Sequence, residues 1–276
     1  MNRHQLELTG QSNSALCRRA DIGVSARRAS TGAVHYSRDR TIEAQMKRVS
    51  VVGTRHEEKG RANSSELLAI LERIKPEVIF LECPPAAFDA YFNGDPGNLE
   101  AIAVSRYCEN HNVNLIPVDL PTPEGDFFAN DRDLHRRIER TSPDYRRLVD
   151  WYSQNVSAHG FAYLNSKDCS DLFSHLHEAI LDAIEKDVDH RRLAEVYDRW
   201  IRTEELRDRE MVRNIENHCR QASFSSAAFL VGAAHRQSII ALSRSEPAAA
   251  SSTIQWDFAG FLEEPHLTVA RHNEEV

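Results

Sequence analysis

Three observations predict an α/β fold with a mostly parallel central sheet flanked by helices. Short β-rich runs alternate with segments of helical period between residues 48 and 120, the pattern of repeated βα units. The runs are nearly continuous in apolar residues, as strands covered on both faces are. A run of the same kind, Ala227-Ala228-Phe229-Leu230-Val231-Gly232, returns after a long charged stretch of helical period. The sheet is therefore expected to carry a helical insertion or cap between its third and late strands.

The elements follow in order. Val49-Ser50-Val51-Val52-Gly53 reads as the first strand of this body, ended by glycine. Asn63 through Ile74 reads as a helix, with Asn63 as N-cap, Glu66 three residues on, and Leu67, Leu68, Ile70, Leu71 and Ile74 as its apolar face. Lys75-Pro76 ends it, and Glu77-Val78-Ile79-Phe80-Leu81-Glu82 is the second strand. A helix near 97–110 and a third strand over Val113–Asp119 follow. Residues from about 128 to 220 form the expected insertion, with helices near 130–155, 170–186 and 190–220. The late strand, a helix from about 235 to 244 and a last strand over Ser252–Trp256 complete the body. Residues 1–45 show no strong period and lack the apolar core of a secretory signal. They are read as a poorly ordered extension, with Met46 directly before the first strand of one α/β domain, 46–276.

Composition narrows the function classes. The chain has 276 residues, 41% of them hydrophobic, enough to bury a sizeable core. With 28% charged residues and a mean hydropathy of −0.52, it contains no apolar run near the ~18 residues of a membrane span. The net charge of −8 argues against a nucleic-acid binder. The charge is uneven: residues 1–45 carry seven arginines and four acids, while the remainder holds 27 Lys and Arg against 38 acids. The five cysteines are odd in number, far apart and without a CxxC, which points away from a disulfide framework or a cysteine-rich zinc module and towards a reducing, cytoplasmic setting. The expected partner is a small-molecule or peptide substrate, not nucleic acid or membrane. Oligomeric state is open.

Chemistry in an open α/β sheet gathers at the carboxyl ends of its strands. Here the first strand ends in Gly53-Thr54-Arg55-His56, the second in Glu82-Cys83-Pro84, the third in Asp119, and the late strand in Gly232-Ala233-Ala234-His235. If these strands are neighbours, two imidazoles and one or two carboxylates converge on one edge. Imidazole and carboxylate are ligand types for zinc, manganese, cobalt and iron. The glycines let the backbone turn just before each histidine. On the helix before the late strand, Arg207 and Asn214 are seven apart and share a face beside Met211 and Ile215. Each feature also has an ordinary reading: loop histidines, a surface or capping Glu82, a turn-forming Asp119, and a solvated face for Arg207 and Asn214. The HExxH pattern fails because residue 60 is glycine, and no nucleophile elbow, P-loop or GxGxxG is present. Cys83 reads as a small buried thiol. The pairs Trp151–Tyr152 and Tyr197–Trp200 read as core anchors that would line a pocket if the insertion forms a lid.

The ordered set Val-Val-Gly-Thr-Arg-His (51–56), Asn-Ser-Ser-Glu-Leu-Leu (63–68), Lys-Pro-Glu-Val-Ile-Phe-Leu-Glu-Cys (75–83), Arg207-Asp208 with Met211 and Asn214, and Phe-Leu-Val-Gly-Ala-Ala-His (229–235) resembles the TraB/Tiki family. That family lies in a superfamily with ChaN-like haem-binding and erythromycin-esterase-like proteins. The likeness covers about 48–120 and 200–245. It departs where Leu120-Pro121 follow Asp119 in place of the family's usual Arg, and where Ala234 replaces a usual Gly. The resemblance implies a divalent-metal hydrolase of a peptide, amide or ester bond. His56, Glu82 and His235 would be ligands to Mn, Co, Zn or Fe, Asp119 a possible further ligand, and Glu82 the base where it is not a ligand. Arg207 and Asn214 would steady the oxyanion or grip a substrate carboxylate. Other branches imply a metal-independent esterase, or a non-catalytic binder of haem or peptide using the same pocket.

Overall fold

The computed structural model describes residues 18–19, 46–121, 123, 125–245 and 253–262. Apart from Arg18–Arg19, the expected N-terminal extension lies outside the described residues. The fold is α/β, and the described residues form six strands, all parallel: β1 Arg18–Arg19, β2 Lys47–Thr54, β3 Val78–Leu81, β4 Asn114–Pro117, β5 Ser226–Gly232 and β6 Ile254–Asp257. Their order across the sheet is β1-β4-β3-β5-β2-β6. The late strand β5 thus inserts between β2 and β3. This makes β4, β3, β5 and β2 consecutive neighbours and puts the four chemistry-bearing strand ends in one row.

Among the described residues eight α-helices flank the sheet: α1 Ser64–Ile74, α2 Phe88–Asn93, α3 Leu99–Asn110, α4 Phe127–Thr141, α5 Pro143–Leu164, α6 Lys167–Glu185, α7 His190–Gln221 and α8 Arg236–Ser245. Alternate strand residues feed two cores. Val52, Ile79, Leu81, Leu115 and Leu230 pack with Leu67, Ile70, Leu71, Val104 and Tyr107 of α1 and α3 on one face. Val51, Phe80, Ile116, Phe229 and Val231 pack with Met211, Ile215 and Ile239 of α7 and α8 on the other. The two-residue period of a strand delivers this division directly. Asn63 caps α1 as expected: its side-chain oxygen accepts the Glu66 N–H at 3.0 Å.

The insertion differs in detail from the expected helix near 130–155. Ser142 and Pro143 divide that stretch into α4 and α5. Ser142 accepts the Tyr145 N–H, and proline fits the first helical turn, where its missing donor costs nothing. α5 then runs on to Leu164 through a break at Gly160, whose φ of 55° and ψ of −133° no helix contains. A Cβ at Gly160 would lie 2.7 Å from the Arg61 carbonyl, so glycine there lets the 57–62 loop seat on α5.

α7 is 32 residues long and belongs to two cores. Leu193 and Tyr197 join Leu134, Ile138, Ile180 and Ile184 in a separate cluster of the insertion. Met211, Val212, Ile215 and Cys219 lie on the sheet. Glu204, Arg207 and Asp208 fall between the two halves, beside the carboxyl edge of the sheet. Among the described residues no helix is long and apolar enough to cross a membrane.

Candidate active site

A pocket of about 720 Å³ opens along that edge, under the insertion. Its wall includes His56, Glu82, Asp119, Arg207 and His235. Both glycines of the Gly-x-x-His corners are used. Gly53 exchanges hydrogen bonds with the Asn165 side chain (N–H to Oδ1 2.7 Å, Nδ2 to the carbonyl 3.1 Å), which fastens the end of α5 to β2. Gly232 donates its N–H to Glu82 Oε2 at 2.6 Å.

At the first corner, the His56 carbonyl accepts the Leu99 N–H at 2.7 Å, docking the first turn of α3 beside the histidine. That turn carries Glu100, which is only 1% exposed. Its carboxylate accepts from the Thr54 hydroxyl, from the Tyr91 hydroxyl at 2.8 Å, and faces His56 Nδ1 at 3.3 Å. The Glu100 hydrogen bond, working against burial, lifts the His56 pKa to about 9. His56 remains 62% exposed. With Nδ1 towards Glu100, its Nε2 has no partner among the described residues.

At the second corner, His235 is 10% exposed and surrounded by acids. Nδ1 lies 2.6 Å from Asp208 Oδ1, and Nε2 lies 3.2 Å from Glu82 and 3.4 Å from Glu204. Burial opposes its charge, but Glu82 and Asp208 outweigh burial and hold its pKa well above the usual imidazole value. Burial alone would raise the Glu82 carboxyl. His235, Arg207 and the Gly232 N–H together bring it down to about 2.

Arg207 is the hub of this half. Its guanidinium bonds Asp119 through Nε and Nη2, Glu82 through Nη2 at 2.7 Å, and Glu204 through Nη1 at 2.8 Å. Its Nε, Nη1 and Nη2 each meet a carboxylate, so it holds three acids in place around one cation. Asp119 does two things: it receives Arg207, and its Oδ1 accepts the Leu120 N–H at 2.7 Å as a turn-forming aspartate does. Asn214 stands apart from the pocket wall, donating Nδ2 to the Val118 carbonyl at 2.9 Å to hold the end of β4.

The sequence names His56, Glu82, Asp119, Arg207 and His235 on the pocket wall and Asn214 beside it, and does not mark three carboxylates: Glu100, Glu204 and Asp208. Glu204 and Asp208 sit on a charged helix, where an acid reads as solvated, and Glu100 sits in a first helical turn, where an acid reads as a partner for the helix N-terminus. A signal existed for Asp208, which adjoins Arg207 in the Arg-Asp segment, but none marked Glu100. Tyr152 and Trp200 do line the pocket, whereas Trp151 is exposed.

Among the described residues no group of three or more His, Cys, Asp or Glu side chains is disposed to hold a metal ion. The geometry supplies a reason. The Arg207 guanidinium fills the space between Glu82, Asp119 and Glu204, where a second cation would meet its charge. His56 turns Nδ1 to Glu100. His56, Glu82 and His235 thus share a pocket wall without closing into a ligand shell. No family model, no curated protein and no solved structure matches this chain.

Proposed function

We propose that the protein is a hydrolase of an ester, amide or peptide bond in which His56 activates the attacking water. The observation that carries this reading is that His56, on the wall of the pocket shared with His235 and Glu82, is backed by the buried Glu100. A buried carboxylate behind Nδ1 fixes the neutral ring as the Nδ1–H tautomer and leaves Nε2 as the proton acceptor, the arrangement by which a histidine base is oriented. Water gives a proton to Nε2 as its oxygen bonds the substrate carbonyl carbon. The imidazolium, stabilised by Glu100, then returns that proton to the leaving oxygen or nitrogen as the scissile bond breaks. His235 offers positive charge to the developing oxyanion through space, since both its nitrogens are engaged. Glu82, Asp119 and Glu204 hold His235 and Arg207 in place. The resemblance to the TraB/Tiki family and its esterase-like relatives supports the same reaction class, and the reading favours the metal-independent branch.

The test is turnover of chromogenic ester and peptide substrates by exhaustively chelated protein. Turnover that survives chelation and falls by roughly 10²–10⁴ in His56→Ala is the expected result. A strict requirement for added Mn, Co, Zn or Fe would replace this mechanism with the divalent-metal one. Absence of turnover, together with a haemin Soret band lost in His56→Ala or His235→Ala, would make the pocket a binding site.

A further inference from the structure

The pocket wall contains two arginines in opposite states. Arg207 is paired with three carboxylates. Arg55, between Thr54 and His56 in the first corner, makes no hydrogen bond or ion pair among the described residues, and its Nε is buried without a partner. An unpaired buried guanidinium donor is costly, and such a group persists where something else completes it. The same pocket is lined by Tyr152, Phe173, Phe127, Phe128 and Trp200 as well as by its charged residues. Phe128 packs edge-on against Phe127 and still leaves 44% of its surface exposed. The Arg55 charge reaches the Tyr152 hydroxyl, which ties the free cation to the aromatic side of the wall.

We infer that Arg55 is the anchor for a substrate carboxylate, and that the substrate is an acylated amino acid or the C-terminal end of a peptide bearing an apolar side chain. A guanidinium presents two parallel N–H donors that match a carboxylate. A dianionic phosphate fits less well, because Glu82, Asp119 and Glu204 line the same pocket. Arg55 and His56 both line the pocket, so a substrate held by its carboxylate on Arg55 can present the adjoining acyl bond to the proposed base. The apolar side chain then rests on the aromatic wall. This deepens the hydrolase reading and rests on it for the bond cleaved, but the anchoring itself is a matter of binding.

The experiment is calorimetric titration of the full chain with a panel of N-benzoyl amino acids (Phe, Leu and Ala) and their neutral carboxamides. The acids are expected to bind more tightly than the amides, with Phe or Leu above Ala. Arg55→Gln is expected to weaken the acids roughly ten- to a hundred-fold and leave the amides unchanged, and Arg55→Lys to restore part of the difference. Because Arg55 supports no internal partner, Arg55→Gln should melt at the wild-type temperature or above it. Equal affinity for acid and amide, no binding by any acid, or a lowered melting temperature in Arg55→Gln would overturn the assignment. An acid preference lost in Arg55→Gln, in a protein that hydrolyses none of the panel, would keep the anchor and refute the hydrolase.

Discussion

The two Gly-x-x-His corners are the same four-residue pattern at the ends of adjacent parallel strands, with Thr54 in register with Gly232. They produce opposite environments. His56 is 62% exposed and touches one buried acid, while His235 is 10% exposed and touches three. The motif fixes where each ring stands. What the ring can do is set by the helix that arrives behind it. α3 brings Glu100 alone, and α7 brings Glu204, Arg207 and Asp208 together. The first corner is built to exchange a proton with something in the pocket, the second to hold charge in place.

The sharpest way to break this distinction is to remove each ring. His56→Ala leaves Glu100 with its Thr54 and Tyr91 donors and removes a largely exposed ring, so near neutral pH it should cost less stability than His235→Ala while any hydrolytic rate falls by roughly 10²–10⁴. His235→Ala strips the hydrogen-bond partner from Asp208, which is 4% exposed, and should cost about 3–5 kcal/mol in denaturant unfolding. Equal losses of stability in the two variants would erase the difference between the corners.

The next effect is on pH. The Glu100 hydrogen bond raises the His56 pKa to about 9, so the rate should climb about tenfold per pH unit up to that value and level off above it. Glu100→Gln keeps the shape and removes the charge, and should move the plateau towards the ordinary imidazole value of 6.5. Stability runs the other way. The His56 pKa is raised on folding, so its contribution is complete below pH 6.5 and is lost as pH rises through 9. The Glu82 carboxyl is lowered to about 2, so its contribution is complete above pH 4.5 and is lost as pH falls through 2. A rate–pH profile unchanged in Glu100→Gln would show that Glu100 does not tune the base.

What the sequence makes legible follows the same division. Strand ends are readable because a buried parallel strand is written as a continuous apolar run, closed here by a carboxylate or by a Gly-x-x-His pattern. Hence His56, Glu82, Asp119 and His235 were named, and the strand order that unites them needed only β5 to insert between its earlier partners. Arg207 was readable from helical spacing, but its role was not: a charge on a helix surface and a charge spent on three buried acids look alike in sequence. Glu100 shows the limit most clearly. At the first turn of α3 an acid is an ordinary partner for a helix N-terminus, and only the docking of Leu99 onto the His56 carbonyl turns it inward. Asn214 erred the other way, sharing the expected face of α7 yet reaching back to Val118.

The smallest effects test the glycines themselves. A Cβ at Gly53 would stand 3.1 Å from both Asn165 Oδ1 and the Leu164 carbonyl. The latter is backbone at the end of α5, so Gly53→Ala must push the insertion off β2, at about 1–3 kcal/mol. A Cβ at Gly232 would meet only side-chain atoms, Glu82 Oε2 at 3.3 Å and His235 Cδ2 at 3.4 Å, which can yield by a few tenths of an ångström. Gly232→Ala should therefore cost less than about 1 kcal/mol and show itself instead as a change in how Glu82 and His235 are held. The ratio of the two losses by chemical unfolding is the measurement. A larger loss at Gly232 would mean that the acid-rich corner, and not the seam between β2 and α5, is the tighter joint of the molecule.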